Sequence, residues 1–140
     1  VVPMAETLGK LGAERAWVVH GSDGLDELTT TGPSTVCEYY KGKTRTFELS
    51  PEDAGLPLCK PEHLKGGDAD YNAAAIHSVL AGEESAYRNI VLFDTAAALK
   101  VAGRADDLRD GVAMAGEAID SGKAKAALDG MVSISNEGSA

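Results

Sequence analysis

Residues 18–27 read VVHGSDGLDE, and this stretch decides the fold class. Its first part completes a continuous apolar run, residues 16–19, which is typical of a buried strand of the parallel kind. Its second part is a glycine-containing loop with three acids, and we call residues 21–27 the acidic loop. In open α/β sheets, ligands bind beyond the carboxyl ends of the strands. The stretch therefore predicts a buried strand that carries a ligand-binding loop.

The acids of the acidic loop are candidate metal ligands. Asp26 and Glu27 are adjacent, so a regular strand or helix would point them in different directions, but a loop can bring both to one cation. Mg²⁺ is commonly bound by one or two carboxylates together with substrate phosphates. The alternative is that these two acids and Asp23 form an exposed turn or cap the next segment. The residues alone leave both interpretations open.

Other candidate groups carry a weaker signal. His20 follows the strand directly, and we expect it to be a hydrogen-bonded structural group rather than a catalyst. His63 and His77 lack the spacing of a metal site. Residues 66–68, GGD, with Asn72 either bring backbone amides near an anion or simply cap a helix. The sequence contains no Walker, GxSxG or GxGxxG motif, so it predicts no catalytic or cofactor-binding residue.

Outward from this stretch, the chain divides into a strand-containing half and a helical half. The first half predicts a helix from Pro3 to Gly12 and a β-hairpin that turns at residues 41–43. Residues 50–53 place a cap, a proline and two acids as a helix start does, and Gly55 and Pro57 limit that helix to one turn, followed by a loop. The second half predicts four helices from its periodicity and its glycine stops, with a frayed tail. The hairpin strands span 35–40 and 44–49, the helices span 72–80, 85–101, 106–121 and 124–131, and the tail spans 136–140.

The predicted fold class is α/β: part of a mixed, mainly parallel sheet flanked by helices, with a helical second half. A parallel strand needs buried neighbours on both sides, and the sequence supplies few candidates for them. The alanine-rich helices also favour close packing against further structure. We therefore predict that residues 1–140 are one part of a larger α/β domain.

Composition and charge disfavour several classes of protein. The 140 residues carry 13 Lys and Arg against 22 Asp and Glu, a net charge of −9, which disfavours nucleic acid as a partner. No apolar run approaches the roughly 18 residues of a membrane span, and no secretion signal is predicted. Cys37 and Cys59 have no metal-type spacing, and Cys37 has no base beside it to make it a nucleophile. We expect a cytoplasmic protein with two free thiols, although the sequence leaves a disulfide between them open.

The acidic loop also carries a family resemblance. From VHG at 19–21 to GLDE at 24–27 the chain resembles the anthranilate phosphoribosyltransferase family, whose metal motif is Gly-Leu-Asp-Glu. Further pieces match in the same order over nearly the whole chain. They are PED at 51–53 with GL at 55–56, GGD at 66–68 with NA at 72–73, VLAG at 79–82, AAAL at 96–99 with VAG at 101–103, and DSGKA at 120–124. Each piece is weak alone, but six in order make the resemblance specific.

The resemblance implies an enzyme that transfers phosphoribosyl from phosphoribosyl pyrophosphate to the amine of anthranilate, the second step of tryptophan biosynthesis. It implies that Asp26 and Glu27 bind Mg²⁺ and that no general base is needed. It also implies that this chain is the C-terminal part of the catalytic α/β domain. The family's phosphoribosyl pyrophosphate loop, its anthranilate-binding arginine and the helical domain through which it forms homodimers would then lie outside the chain. We expect the 140 residues alone to be inactive.

The resemblance leaves one departure and two alternatives. Asp94-Thr95 stands where the family usually has Asn followed by Ala, and we expect this pair to lie in a helix away from the acidic loop. A pyrimidine nucleoside phosphorylase shares the family's fold but lacks the Gly-Leu-Asp-Glu motif. A non-catalytic relative that binds nucleic acid should carry a basic surface, which a net charge of −9 disfavours.

Overall fold

The chain folds as a small sheet with five α-helices. The computed structural model describes residues 1–137. In chain order the elements are α1 (Val2–Lys10), β1 (Arg15–Gly21), β2 (Ser34–Tyr40), β3 (Lys43–Leu49), α2 (Ala69–Leu80), α3 (Ala86–Val101), α4 (Leu108–Asp120) and α5 (Lys123–Asn136). Two short 3-10 helices, Pro51–Ala54 and Pro61–Leu64, lie between β3 and α2.

The three described strands form an antiparallel sheet in the order β1-β2-β3. β2 and β3 make the predicted hairpin, with Val36 opposite Phe47, and β1 pairs antiparallel with β2, with Val19 opposite Val36. The prediction of parallel pairing for β1 is therefore wrong for the one partner that the described residues give it. α1 and α3 both contact β1, but Trp17, Val18 and Val19 are only partly buried, so the contacts within the described residues do not by themselves explain the apolar run.

The core lies between the sheet and the helices of the second half. At its centre Leu28, Val36 and Phe93 are each 0% exposed. One face of α4 packs into this core, since Ala115 and Ile119 are buried there. The acidic loop therefore leads directly into the core, because Leu28 is the residue that follows it.

The four helices predicted for the second half are confirmed, with shifted ends. Asp68, Ser85 and Asp107 cap α2, α3 and α4, and each side chain accepts a hydrogen bond from the backbone N–H three residues further on. α5 is longer than predicted and has no buried residue among those described. Of the predicted frayed tail, Asn136 is helical and residues 138–140 lie outside the described part of the chain.

Two expectations drawn from composition can be compared with the structure. Cys37 is buried in β2 and Cys59 lies in a partly exposed loop, and both are free thiols, as expected. Within residues 1–137, the structure contains no helix with the length and apolar character of a membrane span.

One carboxylate is buried within the sheet. Glu38 of β2 is 4% exposed. Its Oε1 accepts hydrogen bonds from Trp17 Nε1 (2.9 Å) and Arg15 Nη2 (2.7 Å), and its Oε2 accepts one from Arg45 Nε (2.6 Å). Burial alone raises the pKa of Glu38, but these hydrogen bonds and the charge of Arg15 lower the pKa to about 2. Because the three donors lie on β1 and β3, Glu38 links all three strands.

We expect Gly111→Ala to destabilise the protein by about 2 kcal/mol, because α3 and α4 touch at this glycine. A Cβ at Gly111 would lie 2.8 Å from both the Cα and the Cβ of Ala96, which is closer than two carbons can approach. Alanine is the better helix former by about 1 kcal/mol, but relieving the clash requires the two helices to move apart. Urea unfolding followed by circular dichroism measures the change.

Gly130→Ala is the matched control for this substitution. Gly130 is also helical, in α5, and a Cβ there has no neighbour within 4 Å among the described atoms. With no clash to relieve, the same chemical change should raise stability by about 0.5–1 kcal/mol. Equal effects of the two substitutions would contradict the close packing of α3 on α4.

Candidate metal site

The acidic loop leaves the end of β1 as a closed turn. The amide of Gly21 donates to the carbonyl of Leu25 (2.9 Å), and the amide of Ser22 donates to the carbonyl of Pro33 (3.0 Å). Gly24 has a φ of +94°, in the left-handed region that glycine adopts without strain. The backbone of the loop is thus fixed at both its start and its middle.

Asp23 is used to hold the loop together. Its Oδ2 accepts hydrogen bonds from the hydroxyls of Thr29 (2.6 Å) and Thr31 (2.7 Å), and its Oδ1 accepts one from the amide of Leu25 (3.2 Å). Burial alone raises the pKa of Asp23, but these hydrogen bonds outweigh it and lower the pKa below its usual value. Of the three acids of the loop, Asp23 is therefore the one that stabilises the turn.

Asp26 and Glu27 face solvent at the end of the loop. Both are exposed, whereas the next three residues, Leu28, Thr29 and Thr30, are each 0% exposed. The two carboxylates therefore project from a buried base, which is the arrangement that a rigid but accessible ligand pair requires.

Asp94 supports this base, contrary to the expectation that it lies away from the acidic loop. Its Oδ1 accepts a hydrogen bond from the amide of Leu28 at 3.0 Å, directly after Glu27. The prediction of a helical position is confirmed, because Asp94 lies in α3, but the predicted distance from the loop is wrong. The pKa of Asp94 is raised to about 6, first by burial and also by the charge of Glu27, while the hydrogen bond from Leu28 acts in the opposite direction.

The GGD segment at 66–68 and Asn72 form hydrogen bonds at the start of α2. Asp68 accepts a hydrogen bond from the amide of Tyr71 (2.9 Å), and the side chain of Asn72 bonds to both backbone groups of Gly67. This confirms the helix-cap interpretation of the GGD segment. The expectation of a hydrogen-bonded structural His20 is wrong, because the residue is exposed at the end of β1 and its side chain makes no hydrogen bond within residues 1–137.

The residues present fit one part of a magnesium site. Asp26 and Glu27 offer hard carboxylate oxygens, and Mg²⁺ is usually held by one or two such groups while waters and substrate phosphates complete its coordination. Nowhere in residues 1–137 do three or more His, Cys, Asp or Glu side chains come together as a full metal cluster. The pair therefore suits a cation whose remaining ligands are waters and substrate phosphates.

Sequence reasoning missed the supporting role of Asp94, and no local pattern signals it. The hydrogen bond from Leu28 joins residues 66 positions apart, so it exists only once α3 has packed under the loop. The role of Asp23 is easier to predict, because Thr29 and Thr31 offer hydroxyl donors only 6 and 8 residues further along the chain.

The fold and the site together define a class. The chain is of the α/β class and presents two exposed carboxylates after a strand, which are oxygen ligands of the kind that Mg²⁺ prefers. The chain belongs to the glycosyl transferase family: residues 1–125 match its a/b domain, and the acidic loop lies within the match.

Within this family the chain is similar to anthranilate phosphoribosyltransferases. It is 57% identical to that of Bradyrhizobium diazoefficiens over 136 residues, which cover 97% of this chain and 40% of the relative. It is 58% identical to that of Rhodospirillum rubrum over 134 residues, covering 96% of this chain and 39% of the relative. The chain thus spans about 40% of the length of these relatives.

Solved structures give the same similarity in three dimensions. The anthranilate phosphoribosyltransferase of Thermus thermophilus superposes with a TM-score of 0.84 at 41% identity, covering 94% of this chain and 39% of that one. The Saccharomyces cerevisiae enzyme in complex with PRPP and Mg superposes with a TM-score of 0.74 at 26% identity, covering 81% and 33%. The α/β fold class predicted from the sequence is confirmed.

Proposed function

We propose that the protein to which this chain belongs is an anthranilate phosphoribosyltransferase of tryptophan biosynthesis. It would transfer phosphoribosyl from phosphoribosyl pyrophosphate to the amine of anthranilate and release pyrophosphate. The observation that carries the proposal is 57% identity to an enzyme of that name over 97% of the chain. Structures of the yeast enzyme in complex with PRPP and Mg and with 4-fluoroanthranilate support both substrates.

In this reaction, Asp26 and Glu27 would hold Mg²⁺ through their exposed carboxylates. Bound there, Mg²⁺ would supply charge stabilisation and orientation for the departing pyrophosphate. The chain's own contribution is a fixed pair of oxygens, since the hydrogen bonds made by Asp23 and Asp94 hold the backbone on either side of the pair.

The bond changes make few demands on protein side chains. The bond between ribose C1 and the pyrophosphate oxygen breaks as positive charge builds on the sugar, and the amine nitrogen of anthranilate forms the new bond to C1. An aryl amine is weakly basic and gives up its proton readily once it is bonded to C1. We therefore assign no general base, and the described residues contribute by position and charge alone.

Two further features belong to the proposal. We place the enzyme in the cytoplasm, which agrees with the two free thiols, Cys37 and Cys59. We also propose that the enzyme is a homodimer and that the dimer forms through a part of the protein outside these 140 residues. The binding loop for phosphoribosyl pyrophosphate would lie outside them as well.

The test is an assay of the complete polypeptide with anthranilate, phosphoribosyl pyrophosphate and Mg²⁺, followed by the change in anthranilate fluorescence. We expect turnover that disappears when phosphoribosyl pyrophosphate is omitted or Mg²⁺ is chelated, and no turnover by the 140 residues alone. Phosphorolysis of uridine or thymidine, with no consumption of anthranilate, would instead identify a pyrimidine nucleoside phosphorylase.

A further inference from the structure

Below the acidic loop, α3 contributes a polar group to an otherwise apolar contact. Phe93, Ala96 and Ala97 of α3 are buried, and Leu28 packs in the same core at 0% exposure. Asp94 lies between them in sequence and directs its Oδ1 to the amide of Leu28 at 3.0 Å. A buried amide requires an acceptor, so this contact fixes where the chain enters the core.

The contact acts at the position where the candidate ligand pair ends. Leu28 follows Glu27 directly, so the hydrogen bond to Asp94 sets the plane of the peptide group that joins the two residues. On the other side of the pair, Asp23 accepts the amide of Leu25. The two exposed carboxylates are therefore held between two backbone hydrogen bonds, of which only that to Asp94 connects the loop to the helical layer.

We propose that Asp94 is a positioning residue for the Asp26–Glu27 pair, acting through the Leu28 amide to fix the two carboxylates in the geometry that binds a divalent cation. This inference rests on the proposed metal role of the pair. It requires only one acceptor oxygen, because the second oxygen of Asp94 is buried and has no hydrogen-bond partner within the described residues. An asparagine, which keeps Oδ1, should therefore serve as well as the aspartate.

The experiment uses the complete enzyme with saturating phosphoribosyl pyrophosphate and Mn²⁺ as the probe, with binding to the enzyme measured by the enhancement of water-proton relaxation. D94L removes the acceptor at similar size, D94N retains it, and T95V alters the adjacent α3 residue. We expect the dissociation constant for Mn²⁺ to rise about tenfold or more in D94L and to stay within about threefold of wild type in D94N and T95V. In turnover, we expect D94L to need more Mg²⁺ while its kcat at saturating Mg²⁺ approaches that of wild type.

A D26A/E27A variant in the same titration separates this inference from the proposed function. If it binds Mn²⁺ as wild type does, the metal site itself is wrong; if it loses binding while folded D94L does not, only the role of Asp94 is wrong. Hydrogen exchange in the wild-type enzyme decides the matter should D94L fail to fold. The Leu28 amide should then exchange at least about tenfold more slowly than that of Glu27, and equal exchange would overturn the inference.

Discussion

Replacing Asp26 and Glu27 together by alanine is expected to lower the turnover of the complete enzyme by about 10³-fold or more, equivalent to several kcal/mol of barrier. The two carboxylates are exposed and lie on a loop whose backbone is already fixed by Asp23 and Asp94. Their removal therefore takes away the ligand atoms without disturbing the fold. Rates of phosphoribosylanthranilate formation measured over a range of Mg²⁺ concentrations test this expectation.

The matched control removes two other exposed acids. Glu6 and Glu62 are exposed and make no side-chain hydrogen bond or ion pair within the described residues, so E6A/E62A changes the net charge equally. We expect that control to keep turnover within about twofold, and we expect both double variants to unfold within about 0.5 kcal/mol of wild type. Turnover of D26A/E27A near the wild-type rate at limiting Mg²⁺ would contradict the proposal that the pair binds the metal.

Local patterns in the sequence were enough to predict most elements of the fold. The hairpin follows from two β-rich segments around Gly42, and the ends of the helices follow from caps such as Asp68 and Ser85. These signals work because turn and cap residues act within three or four positions of themselves. The same kind of local pattern, adjacent carboxylates in a glycine-containing loop, singles out Asp26 and Glu27, which are exposed; their metal role stays a prediction.

The features that the sequence did not reveal depend on contacts between distant segments. The direction of the strand beside β1 is one such feature, because an apolar run is compatible with an antiparallel neighbour as well as with a parallel one. The position of Asp94 under the acidic loop depends on how α3 packs, 66 residues away from Leu28. The same holds for Glu38, which is buried together with its neighbours Val36 and Cys37, so no alternation along β2 signals its burial.

The acids in and below the acidic loop are chemically similar, but the fold gives them different roles. Asp26 and Glu27 are exposed and available to a cation, Asp23 binds hydroxyls and amides of its own turn, and Asp94 accepts from the loop while its other oxygen stays buried. Exposure and hydrogen-bond partners, which only the folded chain defines, distinguish the candidate metal ligands Asp26 and Glu27 from the acids that support the loop.

The second large effect is expected at Glu38, which should make the stability of the fold depend on pH. In the folded chain the pKa of Glu38 is about 2, against an ordinary value of 4.5. Because the folded pKa is the lower one, the stabilisation is fully present above about pH 4.5 and is lost as the pH falls toward 2. Arg45 is largely exposed and its contribution is screened by solvent, so we expect a total of about 2–3 kcal/mol.

E38Q tests this by removing the charge while keeping the shape. At pH 7 the variant should unfold about 2–3 kcal/mol more easily in urea, because Arg15 loses its buried partner. At about pH 3 the difference should shrink to about 1 kcal/mol or less, since the unfolded wild-type chain binds a proton at Glu38 there and the folded chain does not. E48Q, which alters an exposed glutamate of β3, is the control and should differ from wild type by less than about 0.5 kcal/mol at both pH values. A difference for E38Q that stays constant between the two pH values would show that folding does not lower the pKa of Glu38, and would contradict stabilisation of the sheet by its charge.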